Sequence, residues 1–317
     1  MAFLHVRDQV CGRPTRAPAL SNLLADLVAF VLRQLLFATC PIAPLHTLAQ
    51  ADVPSIFRGL TTMNKFKRLS GGVFVCMAFT TFNAWAEPGH EWTYSGEHGP
   101  DHWGEISKDF HTCESGRAES PINIESAKKA PADMPRLRIN YQPLPIDITN
   151  TGHAVQFNAA PGTDSISLGD HPYRLVQFHF HAPGEERFAG KASVMDAHFV
   201  HRSEDGKLLV LAVQLKLGAQ PNPLIQALVD RIPHEKGAEL MAKGVMINPL
   251  DLLPRNTGYY TYSGSLTTPP CSEGVTWIEF KEPVTITQRQ LDAMEAFYHG
   301  NQRPVQALNG RDIWDVE

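Results

Sequence analysis

The sequence predicts a mainly β domain, a single unit built on one large, twisted, mostly antiparallel sheet with short peripheral helices. Three observations predict it. Apolar, β-rich segments of strand length recur from Leu137 onward, turn clusters separate them, and only two segments carry helical spacing. Leu137–Tyr141 and Ile146–Thr149 come first, then Ala154–Asn158, which runs into the turn cluster Ala160-Pro-Gly-Thr-Asp164. Leu168-Gly-Asp170 precedes a longer run, Tyr173–His181. Val194–His201 and Leu208–Leu217 flank Glu204-Asp-Gly206, and Thr257–Ser263 and Val275–Phe280 complete the strands. Helices are expected at Pro223–Arg231 and at Thr287–Phe297, where Thr287 caps and apolar residues recur at helical spacing.

The most informative stretch is Gln177-Phe-His-Phe-His181. Strand side chains alternate faces, so His179 and His181 point one way while Phe178 and Phe180 point the other. Two residues of strand rise is roughly 6.6 Å, over which tilted imidazoles reach one ion at about 2.0–2.1 Å. Met195-Asp-Ala-His-Phe-Val-His201 alternates too, with Met195, Ala197 and Phe199 opposed to Asp196, His198 and Val200. Three neutral nitrogens without a fourth side-chain ligand leave a position for water, the layout of a catalytic zinc centre. A lone histidine on a strand is more often a hydrogen-bonded core or surface residue. Here Gln177 lies two before His179 and Asp196 two before His198, each on its ligand's face, ready to hold the other ring nitrogen. His201 falls on the opposite face and reads as structural.

Together with Ser265-Leu-Thr-Thr-Pro-Pro270, these segments resemble the α-class carbonic anhydrases in their bacterial secreted form. The resemblance runs from about Trp92 to the C-terminus. It includes Tyr94, His102-Trp103, Ser120-Pro-Ile-Asn-Ile124, Asn150-Thr-Gly-His153, Gly274-Val-Thr-Trp277 and Asn301-Gln-Arg-Pro-Val-Gln306. It implies the α-carbonic anhydrase fold, a Zn2+ cofactor on His179, His181 and His198, and reversible hydration of CO2 to bicarbonate and a proton. By resemblance the nucleophile is zinc-bound hydroxide, since zinc lowers the pKa of water from about 15.7 to about 7. Thr267 matches the gatekeeper that orients it and Glu185 the carboxylate that polarises the threonine; an ionised carboxylate only accepts hydrogen bonds. His153 matches the proton shuttle, and an imidazole near pKa 6.5 suits that task. Asn301 matches a residue supporting the ligands. Tyr94 lines the polar side, Val200, Val210, Leu266 and Trp277 the apolar wall for CO2, and Thr268 faces bicarbonate.

Some positions depart from the family's pattern. Gly184 stands where relatives often carry serine, and Glu186 where histidine or asparagine is common. Glu119 replaces a glutamine, Thr151 and Gln156 replace asparagines, and Asp196 is one methylene shorter than the usual glutamate. These changes bear on rate and pH profile.

The segment before the domain reads differently. Met63-Asn-Lys-Phe-Lys-Arg68, the apolar Gly71–Phe79 and the small-x-small Ala84-Trp-Ala86 make a signal peptide over 63–86, cut before Glu87, so the domain spans 87–317 and is periplasmic or secreted. Residues 1–62 read as an upstream reading-frame extension or a disordered leader. Leu20 to Phe37 has helical apolar spacing, yet Asp26 and Arg33 interrupt it and argue against a stable membrane anchor. Bulky Val75 before Cys76 disfavours lipoprotein processing. Of five cysteines, Cys113 and Cys271 remain after cleavage, and an even pair in an exported chain reads as a disulfide beside the Thr267 loop.

The formal charge of −5 and the absence of phosphate-loop or nucleic-acid motifs argue for little affinity for nucleic acid, which is not expected as a partner. The expected partners are CO2, bicarbonate and water, and a homodimer is left open. A cupin-type metalloenzyme would share His179, His181 and Glu185 but lacks its second motif here. A silent carbonic-anhydrase-like binding module typically loses a ligand histidine, and all three stand. A hydrolase reading lacks a nucleophile.

Overall fold

The computed structural model describes residues 91–317 apart from Pro161 and Thr163. The expected signal peptide, the upstream segment and the cleavage point therefore lie outside the described residues.

In chain order the strands are β1 (Asn123–Ile124), β2 (Lys128–Lys129), β3 (Leu137–Asn140), β4 (Leu144–Asn150), β5 (Val155–Asn158), β6 (Ser165–Leu168), β7 (His171–His181) and β8 (Arg187–Phe188). Then come β9 (Lys191–Ala192), β10 (Met195–Arg202), β11 (Leu208–Leu217), β12 (Glu239–Ile247), β13 (Tyr259–Ser265), β14 (Glu273–Phe280), β15 (Val284–Ile286) and β16 (Trp314–Val316). One large sheet runs in the order β12-β4-β5-β7-β10-β11-β14-β13-β16-β2, while β1, β8 and β9 form a small second sheet. The large sheet is mostly antiparallel; β11 pairs parallel with β14 and β15, and β16 with β2.

Its two faces carry different chemistry. One face of β5, β7 and β10 buries Phe157, Phe178, Phe180 and Phe199 in the main core. Phe178 stacks on Phe157 at 4.7 Å and on Phe199 at 4.9 Å between ring centroids. Truncating such a ring to alanine typically costs about 3–5 kcal/mol. The other face carries the histidines and a smaller cluster containing Ile122, Val210, Tyr262, Val275 and Trp277. The alternation of aromatic and histidine in β7 is thus the division between core and site.

The helices form close to where expected, at Pro223–Val229 and Gln288–Glu295. The Asn222 side chain accepts from Leu224 and Ile225 N–H and caps the first; Thr287 and Gln290 make a reciprocal capping box on the second. The edge strand β12 was not foreseen. It exposes Met241 and Met246 and carries Glu239, Lys243 and Gly244, so no apolar run marks it. Among the described residues no helix is long and apolar enough to cross a membrane.

Candidate metal centre

Strand register assembles the centre. β7 and β10 pair so that His179 lies opposite His198 and Asp196 opposite His181. Their imidazole centroids are 5.0 Å apart for His179–His181, 5.5 Å for His179–His198 and 4.8 Å for His181–His198. One potential ligand atom from each lies within 4.8 Å of the others, and His181 and His198 are buried.

Hydrogen bonds fix which nitrogens face inward. His179 Nδ1 meets Gln177 Oε1 at 2.8 Å and His181 Nδ1 meets the Asn301 carbonyl at 2.7 Å. A carbonyl can only accept, so both Nδ1 atoms carry the proton and both Nε2 atoms present lone pairs. His181 Nε2 is buried with no hydrogen-bond partner. On His198 the roles reverse, because Nε2 meets Glu186 Oε2 at 3.2 Å and leaves Nδ1 as the inward lone pair. An orphaned buried nitrogen beside two similarly oriented ones is a donor set that fits a transition-metal cation. Burial and the adjoining His198 push His181 down to about 4, which keeps its imidazole neutral at ordinary pH, as a metal ligand has to be.

Behind the imidazoles lie four buried carboxyls, Glu185, Glu186, Asp196 and Glu279. Burial pushes Glu185 up to about 8 and Glu279 well above the carboxylate range, the latter aided by Glu186. Burial opposes a charged His198, but the Asp196 and Glu186 carboxylates outweigh it and raise that imidazole well above the usual range. Burying ions uncompensated costs several kcal/mol each, and a divalent cation on these histidines would displace the extra His198 proton and supply the counter-charge in its place. Glu279 was not singled out from the sequence. Its signal is an acid inside the otherwise uncharged, mostly apolar run Val275–Phe280.

Asn301 ties several segments together. Its Oδ1 accepts from Ala182 N, and its Nδ2 donates to Phe180 and His153 carbonyls. Arg303, also missed, is almost fully buried. Its N–H donates to Glu185 Oε1 at 2.7 Å, and its guanidinium pairs with Glu119 at 2.6 Å and stacks over Trp103. The Glu119 substitution thus gives Arg303 an anionic partner, and Ser265 Oγ donates to the same oxygen.

Thr267 is 5% exposed on the loop after β13. Among the described residues no hydrogen bond joins it to Glu185, whose Oε2 makes no hydrogen bond and lies 3.8 Å from His198 Nδ1. Thr268 carbonyl accepts from Cys271 N in the same loop, and Cys271 is disulfide-bonded to Cys113 with Cα atoms 5.0 Å apart. Val200, Val210, Leu266 and Trp277 share one apolar cluster, and the Trp277 ring stands edge-on to His198 at 5.0 Å. Tyr94 packs edge-on to Trp92 and Trp103, and burial beside Glu185 and Asp196 raises its phenol well above 10. His153 stacks on Trp92. Thr151 spends its hydroxyl on the His153 and Ala154 backbone, and Gln156 donates to Asn158, so both asparagine replacements have local partners. His201 sits in the core, its Nε2 2.6 Å from the Tyr141 hydroxyl.

Comparison with known proteins agrees with this geometry. The family model of eukaryotic-type carbonic anhydrase matches residues 98–317. The carbonic anhydrase of Pectobacterium atrosepticum is 40% identical over 239 residues, 75% of this chain and 96% of its own length. That of Neisseria gonorrhoeae is 38% identical over 242 residues, 75% of this chain and 93% of its own. The solved structure of Photobacterium profundum alpha-carbonic anhydrase superposes with a TM-score of 0.66 at 40% identity, covering 71% of this chain and all of that one. The chain therefore belongs to the eukaryotic-type, or α-class, carbonic anhydrase family of enzymes.

Proposed function

We propose that the chain catalyses reversible CO2 hydration at a zinc ion held by His179 Nε2, His181 Nε2 and His198 Nδ1. The observation that carries this reading is the convergence of three imidazole lone pairs, each fixed by an acceptor on the ring's other nitrogen. Zinc bound there supplies Lewis acidity, lowering the pKa of water from about 15.7 to about 7.

The rest is the work of the chain. Thr267 accepts the hydrogen of the attacking oxygen and donates its own to Glu185 Oε2, the oxygen that lacks a hydrogen bond on a carboxylate already held by Arg303 N–H. That pair aims one lone pair at carbon. Val200, Val210, Leu266 and Trp277 give CO2, which has no dipole, an apolar wall beside the histidines. Thr268 receives bicarbonate, and Tyr94 bounds the polar side. His153 carries the proton to buffer, within reach of solvent because its ring is only partly buried. We further read residues 63–86 as a signal peptide that exports the domain; the Cys113–Cys271 bond suits an oxidising compartment. Mass spectrometry of the mature N-terminus, expected at Glu87, checks that step.

Stopped-flow CO2 hydration by Glu87–Glu317, with metal content measured on the same sample, tests the whole reading. Fast hydration with one zinc per chain, abolished by chelation and restored by zinc, is expected. Stoichiometric zinc without hydration overturns the activity, and no bound metal overturns the centre.

A further inference from the structure

The inference concerns Glu186 and rests on the metal-site reading just given. Strand alternation puts Asp196 on the face of His198 and so makes it the expected holder of the Nε2 proton. The distances favour a different residue. His198 Nε2 makes a hydrogen bond of 3.2 Å to Glu186 Oε2, whereas Asp196 Oδ2 lies at 3.4 Å. That aspartate oxygen is already engaged, accepting the Glu185 backbone N–H at 2.6 Å.

The aspartate oxygen is shared between the two contacts, and the shorter of them is to the Glu185 N–H on the turn that follows β7. Glu186, the next residue on that turn, makes its only side-chain hydrogen bond among the described residues to His198. Glu186 is 1% exposed and its second oxygen, Oε1, has no partner. A buried carboxylate in that position depends on the few donors it has. The other neighbouring acid, Glu185, spends one oxygen on the Arg303 N–H. Consecutive glutamates thus serve different groups, the first turned to the arginine backbone and the second to the histidine.

We propose that Glu186 is the positioning residue of the third metal ligand. It holds the Nε2 proton, fixes the tautomer that turns Nδ1 toward the metal, and makes the imidazole a stronger donor. Asp196 anchors the Glu185 turn instead. The position that departs from the family's usual histidine or asparagine has thereby taken over an orienting task from the strand.

The test compares zinc-loaded wild type, Glu186→Gln and Asp196→Asn. Metal content comes first; a wild type that binds no metal overturns the centre and this inference with it. With metal bound, two quantities are read, the NMR resonance of the His198 ring N–H and the rate of zinc transfer to a chelator. Glu186→Gln keeps the side-chain shape and removes the charge. It is expected to displace the resonance more than Asp196→Asn does and to weaken zinc retention by about 10–100-fold. A larger displacement in Asp196→Asn, or none in Glu186→Gln, overturns the proposal while leaving the metal centre intact. Should Glu186→Gln fail to fold, a crystal structure of the zinc-bound wild type decides. Glu186 within hydrogen-bond distance of Nε2 supports the assignment, and Asp196 alone there overturns it.

Discussion

The His153 imidazole lies face to face on the Trp92 indole, with ring centroids 3.8 Å apart and planes at 12°. The stack covers one face of the ring. Burial lowers the pKa of His153 from 6.5, and the nearby Lys236 charge lowers it further. An NMR titration is therefore expected to place His153 below the ordinary histidine midpoint, and Lys236→Gln to move it upward. A midpoint that ignores Lys236 contradicts this account.

The same ring is the proposed exit for protons. Positioned general acid–base groups contribute about 10²–10⁴-fold in rate. His153→Ala is expected to lower kcat by about tenfold or more in weak buffer while leaving metal content unchanged, and added imidazole to restore part of the loss. If kcat is independent of buffer in wild type and variant alike, another group carries the proton.

His201 provides a pH probe away from the metal. Full burial holds its pKa down to about 3, against 6.5 in the unfolded chain. Between those values the unfolded state binds the extra proton, so stability rises with pH through this window. The contribution is complete above 6.5 and is lost as pH falls toward 3, on the order of a few kcal/mol. Urea unfolding at several pH values should show a shallower dependence over this range in His201→Gln than in wild type. Parallel curves would remove His201 as the source.

Gly184 shows why part of the site was not legible in the sequence. A Cβ there would sit 2.2 Å from Ser193 Oγ, which donates to the Met195 carbonyl at 2.8 Å. The glycine is a steric consequence of a serine nine positions later on another segment, and its φ is not positive. Local signals revealed other features well. Period-two alternation gave the histidine face of β7, and Thr287 marked the start of the second helix; its reciprocal partner Gln290 came only with the structure. Long-range partners were invisible for the same reason as Ser193, since the Arg303 guanidinium and N–H act on segments far away in sequence. β12 carried too little apolar content for periodicity to mark it. Alternation put Asp196 beside His198, where it lies 3.4 Å from Nε2, but it gave no sign of Glu186 at 3.2 Å, because alternation specifies a face and not the contacts that a neighbouring turn supplies.

That steric relation makes a double-mutant cycle decisive. Gly184→Ala alone forces Ser193 to rotate or the turn to shift, an overpacking cost of about 1–3 kcal/mol. Ser193→Ala removes the colliding oxygen at the expense of one partly buried hydrogen bond, about 0.5–1.5 kcal/mol. Combined, the two should cost less than their sum by about 1 kcal/mol in chemical unfolding. Strict additivity would show that the two positions do not compete for the same space.

The Cys113–Cys271 bond closes a loop between residues 158 apart and lies directly after the Thr267–Pro270 segment. In chain-entropy terms so long a loop stabilises the fold by about 5 kcal/mol through the unfolded state. The bond also has a local consequence, because Cys271 N–H holds the Thr268 carbonyl and Ser272 carbonyl accepts from Leu266 N. Cys113 packs with Trp103, whose face carries Arg303, and Arg303 in turn donates to the Cys113 carbonyl and to Glu185. Reduction is therefore expected to loosen both the loop carrying Thr267 and the Arg303 segment that holds Glu185, while the three histidines stay on paired strands of the sheet. Under non-denaturing reduction, kcat is expected to fall more than zinc content, and the unfolding midpoint to drop. Zinc loss in step with activity would show instead that the bond supports the metal ligands and not the loop.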